Sequence, residues 1–171
     1  MPDAENEEAI AETVRSGVDA IEVPDELVVE PSRAEKSVLA RVREMTVAER
    51  IKLALRGNRE ARTLLLRDPN RMIRRFVLEN PRINDDEIVV LARNRTADDE
   101  ILRAVAESRE WTENYQVRLA LVTNPKTPVV LALRFLGGLR ERDVRLLAKS
   151  KNVPATIANQ AKRIVLRKAG P

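Results

Sequence analysis

The sequence has no cysteine and no histidine in 171 residues. It therefore offers no thiolate nucleophile, no imidazole base, no iron–sulfur cluster and no ordinary zinc site. Ser-His-Asp and Cys-His catalysis go with them. Only an all-oxygen metal site stays open on composition. Aromatic residues number four, Phe76, Trp111, Tyr115 and Phe135, too few to stack the bases of a single strand. Apolar runs are short, as at 88–92 and 129–133, against roughly 20 residues for a membrane span. The opening stretch, MPDAENEEAIAET, is acidic without an apolar centre, unlike a secretory signal or a transit peptide. A chain without cysteine suits a reducing compartment. The expectation is a cytoplasmic protein with no membrane partner.

Charge is plentiful and unevenly placed. Lys and Arg total 31, Asp and Glu 27. Residues 1–45 carry 12 acids and 5 bases, whereas 46–171 carry 26 bases and 15 acids. The chain thus divides into an acidic N-terminal arm and linker, 1–33, and a basic remainder, 34–171. The arm reads either as a solvated tail or as a segment that covers the basic surface or docks on a partner.

Helix signals recur throughout. Over 4–21, Ile10, Val14, Val18 and Ile21 return at steps of three and four, a thin apolar stripe able to dock on a body or a groove. Pro24 and Pro31 make 23–32 an extended linker. A helix follows over about 34–44. Thr46 to Glu49 forms a capping box, and Gly57 sits where a helix C′ residue belongs. Asn58 caps the next helix, and Asp68 caps a third with Pro69 at its first position. Asn84 and Thr96 cap two more, each with acids in its first turn. Further helices are expected near 113–123, from Thr127-Pro128 to Phe135, near 140–149 and from Pro154 onward. No segment alternates as a strand does, so the chain is predicted to be all-α.

The helices repeat. IRRFVLENP (73–81) aligns with VRLALVTNP (117–125), and Val144-Arg145 with LLAKSKNVP echoes both. One such unit cannot bury its own apolar face, so units must stack. DPNRMIRRFVLENPRINDDEIVVLA and YQVRLALVTNPKTPVVLALRFLGG resemble units of the leucine-rich repeat variant family, which is related in style to HEAT repeats. Asp68-Pro69, Ile73-Arg74, Asn80-Pro81, Val117-Arg118, Asn124-Pro125 and Thr127-Pro128 carry the resemblance, which covers about residues 60–166. It implies a right-handed α-solenoid of short stacked helices and a binding or scaffolding role. It assigns no catalytic residue. The family's cysteine-ligated cluster has no ligands here.

Arg74, Arg118 and Arg145 follow β-branched positions in equivalent units. They form either a basic ladder for phosphates or carboxylates, or pairs with caps and helix-end carbonyls that hold the stack. The resemblance favours the second. Arg71 and Arg75 flank the first of them. Arg140, Arg142, Lys149 and Lys151 surround the third, and Lys162, Arg163, Arg167 and Lys168 form a further basic cluster. Gly137-Gly138 lacks the Lys-Ser/Thr of a phosphate loop. The runs 85–87 and 98–100 are acids at helix starts, which the helix dipole explains without metal or glycosidase chemistry. Trp111 and Tyr115 are either filler in an irregular repeat or an exposed anchor for a partner.

The resulting expectation is a non-enzymatic module with no cofactor, metal or small-molecule substrate. Its candidate partner-binding residues are Arg71, Arg74, Arg75, Arg118, Arg140, Arg142, Arg145, Lys149, Lys151 and Trp111. A protein is the expected partner. The alternative is a basic solenoid that binds nucleic acid, with the acidic arm as an electrostatic brake.

Overall fold

The computed structural model describes residues 4–28 and 38–169. Among them are twelve α-helices, one 3-10 turn and no strand, as the sequence predicts. The chain forms two compact units, Met1–Ile83 and Asn84–Pro171.

The first unit contains α1 (Ala4–Ser16), a 3-10 turn (Asp25–Leu27), α2 (Val38–Glu44), α3 (Val47–Arg56), α4 (Arg59–Leu65) and α5 (Arg71–Leu78). The N-terminal arm contributes directly to its core. α1 packs on α3 and α5. Ala11 and Val14 of the α1 stripe are buried with Leu27, Ile51, Leu53, Ile73 and Phe76. Polar contacts fix the same segment. Arg56 donates to the Val14 carbonyl at 3.0 Å, and Asn70 donates to the buried Glu7 at 2.7 Å. Lys52 pairs with Asp19 at 2.8 Å and also donates to the Ile21 carbonyl.

The helix expected over 4–21 stops at Ser16. Gly17 adopts φ 75°, and the Gly17 and Val18 amides turn back to the Val14 and Thr13 carbonyls at 3.2 and 3.3 Å. Glycine allows this left-handed turn without a Cβ clash. Val18 is left exposed, while Ile21 still packs against the core. In the linker, residues 25–27 turn once and bury Leu27. The linker's end at 29–32 and the helix start at 34–37 lie outside the described residues.

Cap chemistry defines the helix starts. Thr46 and Glu49 form the expected capping box, and Asn58 accepts from the Ala61 amide at 3.0 Å. One expectation changes. Asp68 does not cap α5; Asn70 does, accepting from the Met72 amide at 2.8 Å. The buried Asp68 carboxylate instead takes Arg50 of α3 at 2.7 Å and the Asn70 amide at 2.8 Å. Gly57 is extended, with φ −63° and ψ 158°. Its lack of a side chain serves close packing: a Cβ there would overlap the Leu53 carbonyl and lie 2.9 Å from the Ala61 Cβ.

The second unit contains α6 (Asp85–Arg93), α7 (Asp99–Glu107), α8 (Arg109–Glu113), α9 (Tyr115–Thr123), α10 (Val129–Leu136), α11 (Glu141–Lys149) and α12 (Ala155–Ala169). α6 packs on α9, α10 on α9 and α12, and α11 on α12. Asn84 caps α6 with a second capping box through Glu87. Asp98, not Thr96, caps α7. The Thr96 hydroxyl is already bonded to Asn94 Oδ1 at 2.8 Å. The helix expected near 113–123 is α9, capped by Asn114, and the five-residue α8 before it has no counterpart in the sequence reading.

The two units reuse one set of polar contacts. Asn80 donates its buried side-chain amide to the Ala54 and Gly57 carbonyls at 2.8 and 3.2 Å. Asn124 does the same to the Ala92 and Asn94 carbonyls at 2.7 and 2.9 Å. Each Asn also accepts from the amide two residues on, that of Arg82 or Lys126, at 2.9 Å. The Asn-Pro turn thus closes one helix and gives the Ala54 or Ala92 carbonyl at the end of another a side-chain donor. Asn70 and Asn114 are matching caps, each accepting from the amide two residues on at 2.8 Å.

Candidate interaction surface

The candidate arginines divide into inward and outward sets. Arg74 and Arg118 turn inward. Arg74 Nη1 donates to the Asp68 and Pro69 carbonyls at 2.6 and 3.1 Å. Arg118 Nη1 donates to the Thr112 and Glu113 carbonyls at 2.9 and 3.4 Å. Both are half-buried and repeat one arrangement, in which a guanidinium holds the turn before its own helix. Arg145 departs from it: its side chain is 63 % exposed and pairs with Glu141 one turn earlier. Arg71 and Arg75 are exposed on α5 of the first unit.

In the second unit, Arg140, Arg142, Lys149 and Lys151 are exposed with Arg145. Trp111 is half-buried on the five-residue α8. Its amide is accepted by Ser108 Oγ at 3.4 Å. The segment 125–171 carries 11 Lys and Arg against 2 Asp and Glu. Both acids already have partners. Glu141 pairs with Arg145, and Asp143 is buried and accepts the Tyr115 hydroxyl.

Tyr115 joins α9 to the start of α11. Its hydroxyl donates to Asp143 and accepts from the Arg140 amide at 3.1 Å. The Arg140 guanidinium lies 4.5 Å from the ring centre and that of Arg118 lies 5.7 Å away, within cation–π range. Burial, and then the Asp143 carboxylate, raise the phenol above its ordinary value. The arrangement fixes the N-terminal end of α11 and directs its outer residues away from the core.

Four exposed apolar side chains lie in this basic region: Val129 and Val130 on α10 at 39 % and 79 %, Leu146 on α11 at 62 % and Leu166 on α12 at 72 %. A helical wheel for 141–149 exposes the signal. Val144, Leu147 and Ala148 fill the buried stripe, so Leu146 falls outside it among Arg142, Arg145 and Lys149.

Among the described residues, no helix is long and apolar enough to cross a membrane, and no group of three or more acids could hold a metal ion. No family model matches the chain, and no curated protein or solved structure is similar to it.

Proposed function

We propose that this chain is a non-enzymatic protein–protein interaction module, built from helical repeats of the leucine-rich repeat variant or HEAT kind. A right-handed solenoid and a cytoplasmic location go with this reading. The observation that carries it is the set of exposed apolar residues Val129, Val130, Leu146 and Leu166, the last two on helices whose other exposed residues are mostly polar or basic. Apolar groups held outward on rigid helices gain from burial against a partner. The repeated Asn and Arg contacts support the repeat reading, since they recur 44 residues apart at 80 and 124 and at 74 and 118.

The test is capture of the tagged full-length chain from its own cells after nuclease treatment, followed by reconstitution with the recovered protein. A discrete partner that re-forms the complex in purified form supports the reading. Recovery of nucleic acid alone, or turnover of a substrate in an activity screen, overturns it.

The charge of 125–171 favours a second reading, a surface for nucleic-acid phosphates. Its signature is duplex binding that falls steeply with salt. Deletion of 1–33 does not test an acidic brake cleanly, because Ala11, Val14 and Leu27 belong to the first unit's core.

A further inference from the structure

We propose that the outer face of α11 binds an acidic, amphipathic helical segment of a partner protein, an assignment that rests on the protein-interaction reading above. Arg142, Arg145, Leu146 and Lys149 recur at steps of three and four. They therefore share one stripe of the helix. All four are exposed, while Val144, Leu147 and Ala148 face inward. The stripe is a single leucine surrounded by three cations.

Charge complementarity selects the occupant. The segment around the stripe is strongly basic, and its two acids are engaged within the unit. A partner with carboxylates at helical spacing would meet Arg142, Arg145 and Lys149. Arginine suits carboxylates through its paired donors, and Arg145 already holds one, that of Glu141.

Leu146 separates a protein partner from a nucleic acid. A phosphate backbone engages cations and leaves an apolar side chain without a partner. A helix with leucines between its acids would cover Leu146 and surround it with ion pairs, the arrangement of an apolar anchor with a polar rim. Neither α11 nor α12 carries an aromatic residue on which a base could stack.

The face is also held ready. The Tyr115 hydroxyl fixes both Asp143 and the Arg140 amide, so α11 presents its stripe without a further ordering step. Pre-organisation of this kind lowers the cost of binding.

The experiment uses the full chain and fluorescence anisotropy with four probes. These are a labelled helical peptide of Glu and Leu, its counterpart with Ala in place of Leu, a short DNA duplex, and phosphatidylserine vesicles. The Glu/Leu peptide is expected to bind at least about tenfold more tightly than the Glu/Ala peptide. Leu146→Ser should weaken it by about tenfold, and Arg145→Glu by as much or more. Val90→Ser and Arg103→Glu, exposed on α6 and α7, should leave it within about twofold. Circular dichroism of each variant checks the fold.

Equal binding of the two peptides overturns the assignment. So does preferred binding of the duplex or the vesicles, an unchanged affinity in Leu146→Ser, or an equal loss in Val90→Ser. If the peptide fails while the nuclease-resistant partner is still captured, the α11 assignment falls and the interaction reading stands. If neither binds, both fall.

Discussion

Asn80 donates its side-chain amide to the carbonyl of Ala54 at 2.8 Å, from 26 residues further along the chain. Asn124 repeats the contact to Ala92 at 2.7 Å. In both cases a fully buried amide answers the unpaired carbonyls at a helix end. Replacing Asn80 by Ala takes the side-chain donor from the Ala54 carbonyl, and replacing Asn124 by Ala takes it from the Ala92 carbonyl, which costs about 1–3 kcal/mol per site. Asp is expected to be worse than Ala, because a carboxylate cannot donate and meets carbonyl oxygens. Urea unfolding of Asn80→Ala and Asn124→Ala, each against wild type, checks this. A loss below about 0.5 kcal/mol would show that water replaces the amide.

The three arginines that look equivalent in sequence should separate in stability. Arg118 donates to the Thr112 and Glu113 carbonyls and lies over Tyr115. Arg118→Ala should cost about 1–2 kcal/mol through lost hydrogen bonds and lost packing of its stem. Arg74→Ala should behave alike, since it holds the Asp68 and Pro69 carbonyls. Arg145→Ala removes one exposed pair one turn apart, worth no more than about 0.5 kcal/mol. Thermal melts of the three variants give the comparison. Equal losses would contradict the division into inward and outward arginines.

Tyr115 is the only tyrosine in the chain, so the phenolate band reports its phenol without a second tyrosine. Burial and the Asp143 carboxylate raise its ionisation above the ordinary 10.0. The neutral phenol is the form that the folded state prefers. Its contribution is therefore complete below about pH 10 and is lost as pH rises through the raised value. The titration midpoint in the native chain should lie above that of the unfolded chain. Tyr115→Phe should remove this alkaline dependence and cost about 1–3 kcal/mol at neutral pH, since it leaves the buried Asp143 without its hydroxyl donor. A native midpoint at or below the unfolded one would contradict the Tyr115–Asp143 contact.

How much of this was legible depends on how local each interaction is. Thr46, Asn58 and Asn84 cap where the sequence places them, because a cap needs only the amides two or three residues on. Asp68 and Thr96 had the same chemistry but different partners. Arg50 claims the first from 18 residues away, and Asn94 claims the second. Asn80 and Asn124 were readable as helix stops through the prolines that follow them; their distant carbonyl acceptors were not. The residue pattern around Arg74 and Arg118 allows both a ladder and an inward turn, and their bonds to the carbonyls before their own helices are inward. Leu146 was within reach of a helical wheel, whereas the Tyr115–Asp143 contact depends on how α9 meets α11 and has no local signature.

The contact between the acidic N-terminal segment and the first unit should make that unit sensitive to acid. Asp19 is 8 % exposed at its side chain and pairs with Lys52 at 2.8 Å. The Lys52 hydrogen bond lowers the Asp19 carboxyl below its ordinary 3.8. The folded state thus prefers the ionised form. Its contribution is complete above the unfolded value and is lost as pH falls through the lowered one. Glu49 acts in the same direction, lowered from 4.5 by the Thr46 hydroxyl and amide. Urea midpoints of wild type should therefore fall between pH 5 and pH 3, and Asp19→Asn should flatten part of that slope. Lys52→Met should flatten the same part, because the shift belongs to the pair. The two changes together should then do little more than either alone, as expected of residues that share one interaction. A double variant that flattens the slope by the sum of the singles would place the acid sensitivity elsewhere.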